Sequence, residues 1–242
     1  MAEAGAQNGV ETRQRTRESA ATQLGERAAR YRKERGIKVT ELARAIGVSP
    51  SLISQIERGQ SQPSVSTLFG LAAALGVPVD AFMEPDAKSA PVAVPIGSEA
   101  GSTPAADDDR GGAARPASRA DRYMVRRGDR AALDIEGGVR WERLTPETLP
   151  RVEFLELVYA PGAQSHPELY RHPGTEMVLV LSGRLNITVG FECYELAAGD
   201  SIHFPSSQPH RYANPSDQET RAVTVILHDD DGVAAGEPLR RP

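Results

Sequence analysis

The spacing of apolar residues divides the chain into two regions with different periodicity. Between residues 20 and 83 the apolar side chains recur every three or four positions, as they do along one face of a helix. Between residues 120 and 228 they alternate with polar residues in short runs that are separated by turn residues. The pattern therefore predicts a multidomain fold, with an all-α head of five short helices followed by an all-β sandwich or barrel.

Start and stop signals support the helical assignment of the first region. Thr40 and Ser49 suit the N-cap position of a helix, and Pro50 suits a first helical residue because its missing N–H is not needed there. Gly47 and Gly76 suit helix ends, where a left-handed backbone is common. Short helices are therefore expected to follow one another closely across this region.

Three segments lack a periodic apolar pattern and are expected to be flexible. They are a polar N-terminal arm at residues 1–19, a linker at residues 86–119 rich in Ala, Pro, Gly, Ser and Asp, and a tail at residues 229–242. The predicted domains are then a helical domain at residues 20–85 and a β-domain at residues 120–228. Coupling through a flexible linker is poor, so the domains are expected to dock directly or to communicate through a dimer.

The composition narrows the class of protein. No apolar run approaches the ~20 residues that are needed to span a bilayer, and the first 19 residues lack the apolar core of a secretory signal. Cys193 is the single cysteine, which excludes an intrachain disulfide and a Cys-rich zinc site. A cytoplasmic protein is the expectation.

The net charge of −5 conceals a basic segment. Residues 12–60 hold 11 Lys and Arg against 5 Asp and Glu, a net charge of +6, whereas residues 86–242 hold 17 against 24, a net charge of −7. A local basic surface is what attraction to phosphate groups requires, whatever the sum over the whole chain. The helical region is therefore the candidate for binding nucleic acid.

The segment VTELARAIGVSPSLISQIERG, residues 39–59, has the features of two helices that cross closely. Ala43 is small where the helices must cross, and Gly47 permits the tight turn between them. Together with the LAAALGV that follows, this segment resembles the XRE family of helix-turn-helix regulators, which have the lambda-repressor-like fold. The resemblance covers about residues 22–83 and implies a homodimer that binds a double-stranded DNA operator.

The second helix of this pair is expected to lie in the major groove, with its exposed polar side chains near base edges. Gln can form two hydrogen bonds with adenine and Ser can contact several bases. The expected base contacts are Ser51, Ser54 and Gln55. Other polar residues near the helix ends are expected to grip phosphates, which positions the helix without reading sequence. These residues are Arg44, Ser49, Arg58 and Gln60.

The β-region contains candidate ligands for a metal ion. In the stretch RHPGTEMVLVLSG, His172 and Glu176 precede an apolar strand, and His210 follows further along the chain. Residues two apart in a strand share a face, so Tyr170 can point into a barrel together with His172, and Tyr212 with His210. Two histidines and one carboxylate form a ligand set that suits Zn, Fe, Mn or Ni.

These segments resemble the two motifs of the cupin family, whose fold is a double-stranded β-helix or jelly-roll barrel. The first motif is matched by Tyr170, His172, Glu176 and Gly183. The second motif is matched by Gly199, Pro205, Ser207, His210 and Asn214. Tyr170 stands where the family has its first His, and Ser207 stands where it has a second Gly. The resemblance implies a cupin domain over residues 120–228.

Three uses of these residues remain open. The first is a divalent metal held by His172, Glu176 and His210. The second is a metal-free pocket that recognises a small polar metabolite through the same residues with Tyr170 and Tyr212. The third is a vestigial site that only packs and dimerises. Tyr is a poor substitute for imidazole because its phenol must ionise to bind a metal well. A hydroxyl that hydrogen-bonds a ligand is therefore the expected role of Tyr170.

An XRE-like head joined to a cupin domain resembles bacterial one-component transcription regulators, in which the cupin half is taken to be the sensor. The resemblance implies a regulator, not an enzyme, whose effector binds the barrel and changes operator affinity. An amino acid, a polyamine or a small acid is the expected effector. Two alternatives stay open: a metal-dependent cupin enzyme of dioxygenase or isomerase type with a DNA-binding domain, and a constitutive repressor whose cupin domain only dimerises.

Overall fold

A computed structural model describes residues 22–83 and 123–228. The first range is helical and the second is a β-domain, as the two periodicities predict. The arm, linker and tail proposed from the sequence lie outside the described residues. In the part of the chain that the structure describes, no helix has the length and apolar character needed to cross a membrane.

Within residues 22–83, the head consists of four α-helices and a short 3-10 helix around one apolar core. The helices are α1 at residues 22–34, α2 at Val39–Ile46, α3 at Pro50–Glu57 and α4 at Val65–Leu75, and the 3-10 helix spans Val79–Met83. Ser49 caps α3, since its side-chain oxygen accepts the backbone N–H of Leu52 at 3.1 Å, and Pro50 is the first helical residue. Both roles agree with the sequence signals.

The beginning of α2 differs from the expectation. Its N-cap is Lys38 rather than Thr40, which is already helical. The Glu41 carboxylate accepts the backbone N–H of Lys38 at 3.0 Å and so satisfies one of the donors that a helix start leaves open. A hydroxyl cap at residue 40 is then not required. Gly47 and Gly76 end α2 and α4 in the left-handed conformation, as expected.

Helix α4 is apolar on more than one face. Leu68 and Leu71 are buried in the head. Gly70 lies against α2, where an added Cβ would be 3.2 Å from the Cβ of Ile46. Phe69 points towards the β-domain and is 7% exposed. A helix with apolar residues on several faces must be buried by more than one neighbour, and α4 therefore lies between the rest of the head and the barrel.

Within residues 123–228, the β-domain consists of nine antiparallel strands in two sheets that share a buried core. The strands are β1 Ala132–Ile135, β2 Val139–Arg143, β3 Val152–Tyr159, β4 Thr175–Ser182, β5 Arg184–Val189, β6 Glu192–Ala197, β7 Ser201–Pro205, β8 His210–Ala213 and β9 Thr220–Leu227. The order is β1-β2-β3-β9-β4-β7 in one sheet and β6-β5-β8 in the other. This interleaved antiparallel order is that of a jelly roll.

Alternation along β4 sorts its side chains between the interior and the surface. Glu176, Val178 and Val180 are buried, whereas Met177 and Leu179 are exposed. Successive side chains of a strand point to opposite faces of the sheet. The glutamate of the predicted ligand set therefore faces the barrel interior, and the outer face of the sheet is left apolar.

The head docks directly on the barrel. The backbone N–H of Val79 donates to the Glu153 carboxylate at 3.0 Å, in a buried position. The backbone N–H of Glu136 donates to the carbonyl of Pro63 at 3.1 Å. The ring of Phe69 makes a further contact across this junction, with Trp141 and His172. Direct docking, which was one of the two expected routes of communication, is thus present in the structure.

Candidate functional site

Three side chains of metal-ligand type meet inside the barrel. The Nε2 atom of His172 is 2.6 Å from Oε1 of Glu176, and the Nε2 atom of His210 is 3.2 Å from the same oxygen. All three residues are buried, and one potential ligand atom from each lies within 4.8 Å of the others. The fold therefore brings together the two histidines and the carboxylate that the sequence motifs suggested.

The turn that leads into β4 depends on a glycine. Gly174 has a φ of 114°, and a Cβ at this position would lie 2.2 Å from the carbonyl oxygen of Leu227. Only glycine tolerates both this backbone conformation and this approach to β9. The backbone N–H of His172 donates to the carbonyl of Ser206 at 3.0 Å, which holds the same loop against the end of β7. The loop thus directs His172 towards Glu176.

Backbone carbonyls orient both imidazole rings. The Nδ1 atom of His210 is 2.8 Å from the carbonyl of Gln208, and that of His172 is 3.2 Å from the carbonyl of Pro173. With a cation bound, each Nδ1 would donate its hydrogen to that carbonyl and leave the lone pair of Nε2 for the metal, as in metal-bound histidines. Without a cation, a hydrogen on Nε2 of His172 is donated to Glu176. The Nε2 atom of His210 is buried without hydrogen-bond geometry to a described partner, despite its short distance to the carboxylate. This donor set fits a divalent cation.

The Glu176 carboxylate has partners on both of its oxygens. Oε1 faces the two histidines, and Oε2 accepts a hydrogen bond from the hydroxyl of Tyr212. Burial by itself would raise the pKa of Glu176, but the hydrogen bond with His172 and the electrostatic attraction to His172 and His210 lower this pKa well below its ordinary value. The carboxylate is therefore ionised and suited to hold a cation or a donor group of a ligand.

Tyr170 lies beside the cluster at the position of the first cupin histidine. Its ring is edge-on to His210, with centroids 4.6 Å apart. Burial raises the pKa of the Tyr170 and Tyr212 phenols well above the ordinary value, and the negative charge of Glu176 contributes to both shifts. Both hydroxyls remain protonated, so they suit hydrogen bonding better than metal ligation.

A side chain from the head covers this cluster. The Phe69 ring lies parallel to the imidazole of His172, with centroids 3.8 Å apart and an interplanar angle of 10°. It also meets Trp141 edge-on at 5.8 Å and stacks on Tyr170 at 6.0 Å. Sequence reasoning missed Phe69 as a site residue. The sequence signal that could have identified Phe69 is its position as an apolar residue on a face of α4 that does not pack into the core of the head.

Two further residues at the junction of head and barrel were also missed. His228 places its Nε2 atom 2.8 Å from Oε1 of Glu153, the same oxygen that accepts the backbone N–H of Val79. Glu153 is fully buried at the start of β3. Its partners are His228, which directly follows β9, and Val79 of the 3-10 helix in the head, so no local sequence pattern marks Glu153.

The expected base-contact residues lie on the outer side of α3. Ser51 and Gln55 are exposed one helical turn apart. Ser54 is half-buried, and its hydroxyl donates to the backbone carbonyl of Pro50 at 3.0 Å. With its hydrogen engaged, Ser54 retains only the ability to accept a hydrogen bond from a base. Ser51 and Gln55 are therefore the better placed of the three.

The expected phosphate contacts lie around the ends of α2 and α3. Arg44 is exposed in the last turn of α2, and Ser49 is exposed at the start of α3. The Ser49 oxygen caps α3, but its hydrogen remains able to donate. Beyond the other end of α3, Nε of Arg58 donates to the side-chain oxygen of Gln60 at 2.9 Å. This bond holds both polar groups together on the exposed surface.

Comparison with known proteins divides the chain in the same way. A helix-turn-helix family model matches residues 29–82, and a cupin domain model matches residues 155–226. The HTH-type transcriptional regulator SutR of Escherichia coli K12 is 26% identical over 195 residues, which cover 81% of this chain and 89% of SutR. The chain belongs to the XRE-type helix-turn-helix transcriptional regulators that carry a C-terminal cupin domain.

The regulator is also similar to the HTH-type transcriptional regulator PuuR of Escherichia coli K12. The two are 25% identical over 204 residues, which cover 83% of the regulator and 92% of PuuR. The crystal structure of an HTH_3 family transcriptional regulator from Vibrio cholerae covers 88% of the regulator and 99% of its own chain, with a TM-score of 0.59 at 20% identity. At this identity the likeness shows the fold. The family and fold expected from the sequence are thus confirmed.

Proposed function

We propose that the regulator is a cytoplasmic, sequence-specific DNA-binding protein whose cupin domain binds a small-molecule effector that alters operator binding. The contact between Phe69 and His172 carries this proposal. Because Phe69 belongs to α4, a ligand that changes the surroundings of His172 also changes the surroundings of α4. Helix α4 packs through Gly70 against α2, which in turn packs against α3. The effector shifts operator affinity by its differential affinity for the two arrangements of the head, typically about 1–3 kcal/mol.

In the proposed complex with DNA, α3 lies in the major groove. Ser51 and Gln55 contact base edges, with Ser54 as an acceptor beside them. Their exposure on one side of α3 and the basic character of residues 12–60 support this role. The proposed phosphate contacts are Arg44, Ser49, Arg58 and Gln60.

The proposed effector is a polar molecule that binds in the interior of the barrel. The side chains are those of Tyr170, His172, Glu176, His210 and Tyr212. A divalent metal, Zn, Fe, Mn or Ni, would be held by His172, Glu176 and His210 and would supply a positive anchor for an acceptor group of the effector. The tyrosine hydroxyls supply hydrogen bonds. The proposed effector classes are an amino acid, a polyamine and a small acid, and no catalytic residue is proposed.

Thermal unfolding of the full chain tests the effector proposal. Amino acids, polyamines and small acids are added one at a time, before and after chelation of metal. An effector at a hundred times its Kd stabilises the chain by about 2.7 kcal/mol and raises Tm by several degrees. Loss of the shift after chelation supports a metal. Turnover of a compound would instead favour a cupin enzyme, and no response to any compound would favour a repressor whose barrel only dimerises.

We further propose that the outer face of the six-stranded sheet forms a homodimer interface. An apolar strip on this face, defined as the outer strip, consists of Phe154, Met177, Leu179, Leu181 and Leu227. In the sheet register, Val225 of β9 lies between Phe154 of β3 and Met177 of β4. Contiguous exposed apolar surface of this kind marks a protein interface. A second copy is the occupant proposed, because each chain carries one α3 and two-fold operators require two.

Leu179→Glu is expected to convert the dimer into a monomer, because it places a charge in the middle of the outer strip. Analytical ultracentrifugation of the full chain measures the change. Phe191→Glu is the matched control, since Phe191 is fully exposed between β5 and β6 and lies outside the strip. A dimer of unchanged stability in the Leu179 variant would place the interface elsewhere, and a monomeric wild-type chain would overturn the proposal.

A further inference from the structure

A cavity of about 130 Å³ lies between the head and the barrel. The head contributes Phe69, Ala72, Ala73 and Val77, from α4 and the turn that follows it. The barrel contributes residues of the loops beside its mouth, among them Pro173. One wall of the cavity therefore belongs to the DNA-binding domain and the other to the cupin domain.

The polar side chains that line this cavity are engaged with protein partners. His172 directs its Nε2 to Glu176, and His228 directs its Nε2 to Glu153. The other side chains in the lining are aliphatic or aromatic. Burying a charge against such a surface is costly unless the charge is paired. The lining therefore favours an uncharged, apolar occupant.

The size of the cavity sets the size of its occupant. An engineered protein cavity of about 150 Å³ with a wholly apolar lining stays dry and binds benzene. The cavity at the junction is slightly smaller than that, but it is partly open, since Ala73 at its edge is exposed. A single aromatic ring or a branched aliphatic group of similar volume fits these dimensions.

We propose that this cavity is a second ligand site, which binds an uncharged apolar group about the size of benzene, and that its occupant holds the head against the barrel. This site adjoins the cluster around Glu176, because the stacked rings of Phe69 and His172 both form part of the cavity wall. The inference that the cavity binds a ligand rests only on its volume and its lining residues. The consequence of this binding for operator affinity rests on the proposed function.

An occupant of the cavity is expected to stabilise the docked arrangement, because one wall of the cavity belongs to the head and the other to the barrel. An occupant contacts both domains only while the head is docked, so it binds the docked arrangement more tightly than any separated one and shifts the population towards docking. The backbone N–H of Val79 reports this equilibrium, because Val79 lines the cavity and its N–H bonds to Glu153 only across the junction.

The binding test uses the full chain, with benzene and indole as probes and no DNA present. Operator affinity is then titrated separately with and without the probe. Methyl resonances of Ala72, Ala73 and Val77 are expected to shift on addition of either probe. Hydrogen exchange at the Val79 amide is expected to slow about tenfold when the probe is at ten times its Kd. Benzoate and benzylamine, which add a charge to a ring of the same size, are expected to bind at least tenfold more weakly.

Ala73→Leu fills the open side of the cavity and is expected to abolish the methyl shifts. Ala45→Leu, the same change at an exposed position of α2, is the control and is expected to retain them. Val77→Thr keeps the shape of the side chain but adds a hydroxyl, so it is expected to weaken binding of the probes without filling the cavity. It serves as the second variant if Ala73→Leu disturbs folding.

Four outcomes would count against the proposal or against its coupling to operator binding. No methyl shift with either probe at saturating concentration, or equal shifts in wild type and the Ala73 variant, would overturn the site. Methyl shifts without slower exchange at Val79 would overturn the claim that the occupant holds the head in place. Probe binding that leaves operator affinity unchanged would contradict the proposed coupling to DNA while the site itself stands, so the two failures are distinguishable.

Discussion

Glu176→Gln is expected to remove most of the barrel's affinity for a divalent metal and to destabilise the barrel. The carboxylate supplies the negative charge of the ligand set, and a carboxamide cannot replace that charge. The loss of metal affinity should exceed the roughly 10–100-fold that removal of an outer-shell partner costs. The free energy of unfolding of the metal-free chain should fall by about 1–3 kcal/mol, because His172 and Tyr212 lose a charged hydrogen-bond acceptor in a buried position.

Calorimetric titration with Zn²⁺ and chemical denaturation measure the two effects. Glu195→Gln is the matched control, because Glu195 is an exposed glutamate on β6 and the change removes one negative charge in the same domain. Equal Zn²⁺ affinity in the two variants would show that the cluster around Glu176 is not the metal site. A wild-type chain that does not bind metal, together with a destabilised Glu176 variant, would favour the metal-free polar pocket.

Gln55→Ala is expected to reduce operator affinity by about 1–3 kcal/mol and to relax specificity at one base pair. The Gln55 side chain is exposed on the outer side of α3, and its amide can donate to and accept from adenine simultaneously. Alanine makes no such contact. Affinity for random DNA should therefore change little, because non-specific binding comes from phosphate contacts.

Operator fragments selected with the wild-type chain provide the substrate for this measurement, and binding is titrated at several salt concentrations. Arg58→Ala should weaken binding to all sequences and lower the salt dependence, as loss of a phosphate contact does. Gln218→Ala, at an exposed position in the barrel, controls for loss of a surface glutamine. Equal losses on operator and random DNA in the Gln55 variant would contradict its assignment to base reading.

The secondary structure of both domains could be predicted because helix and strand periods are local properties of the chain. The run SIHFP corresponds to β7, Ser201–Pro205, and the cap at Ser49 is where its hydroxyl suggests. The pattern does not mark β1 and β2 individually. Their charged residues are accommodated by pairing across the strands, as in the 3.1 Å contact between Arg140 and Asp134, and such a partner is not apparent from a short window of sequence.

The sequence by itself determined the types of element, the two families of domain, and the candidate ligands on either side of Gly174. The tertiary structure decided which distant groups meet them. His210 belongs to the three-stranded sheet and Glu176 to the six-stranded one, so only the packing of the two sheets brings these side chains together. Phe69 reaches His172 only because the head docks on the barrel. Period and spacing report the face on which a side chain lies, whereas its partner depends on contacts between segments far apart in the chain.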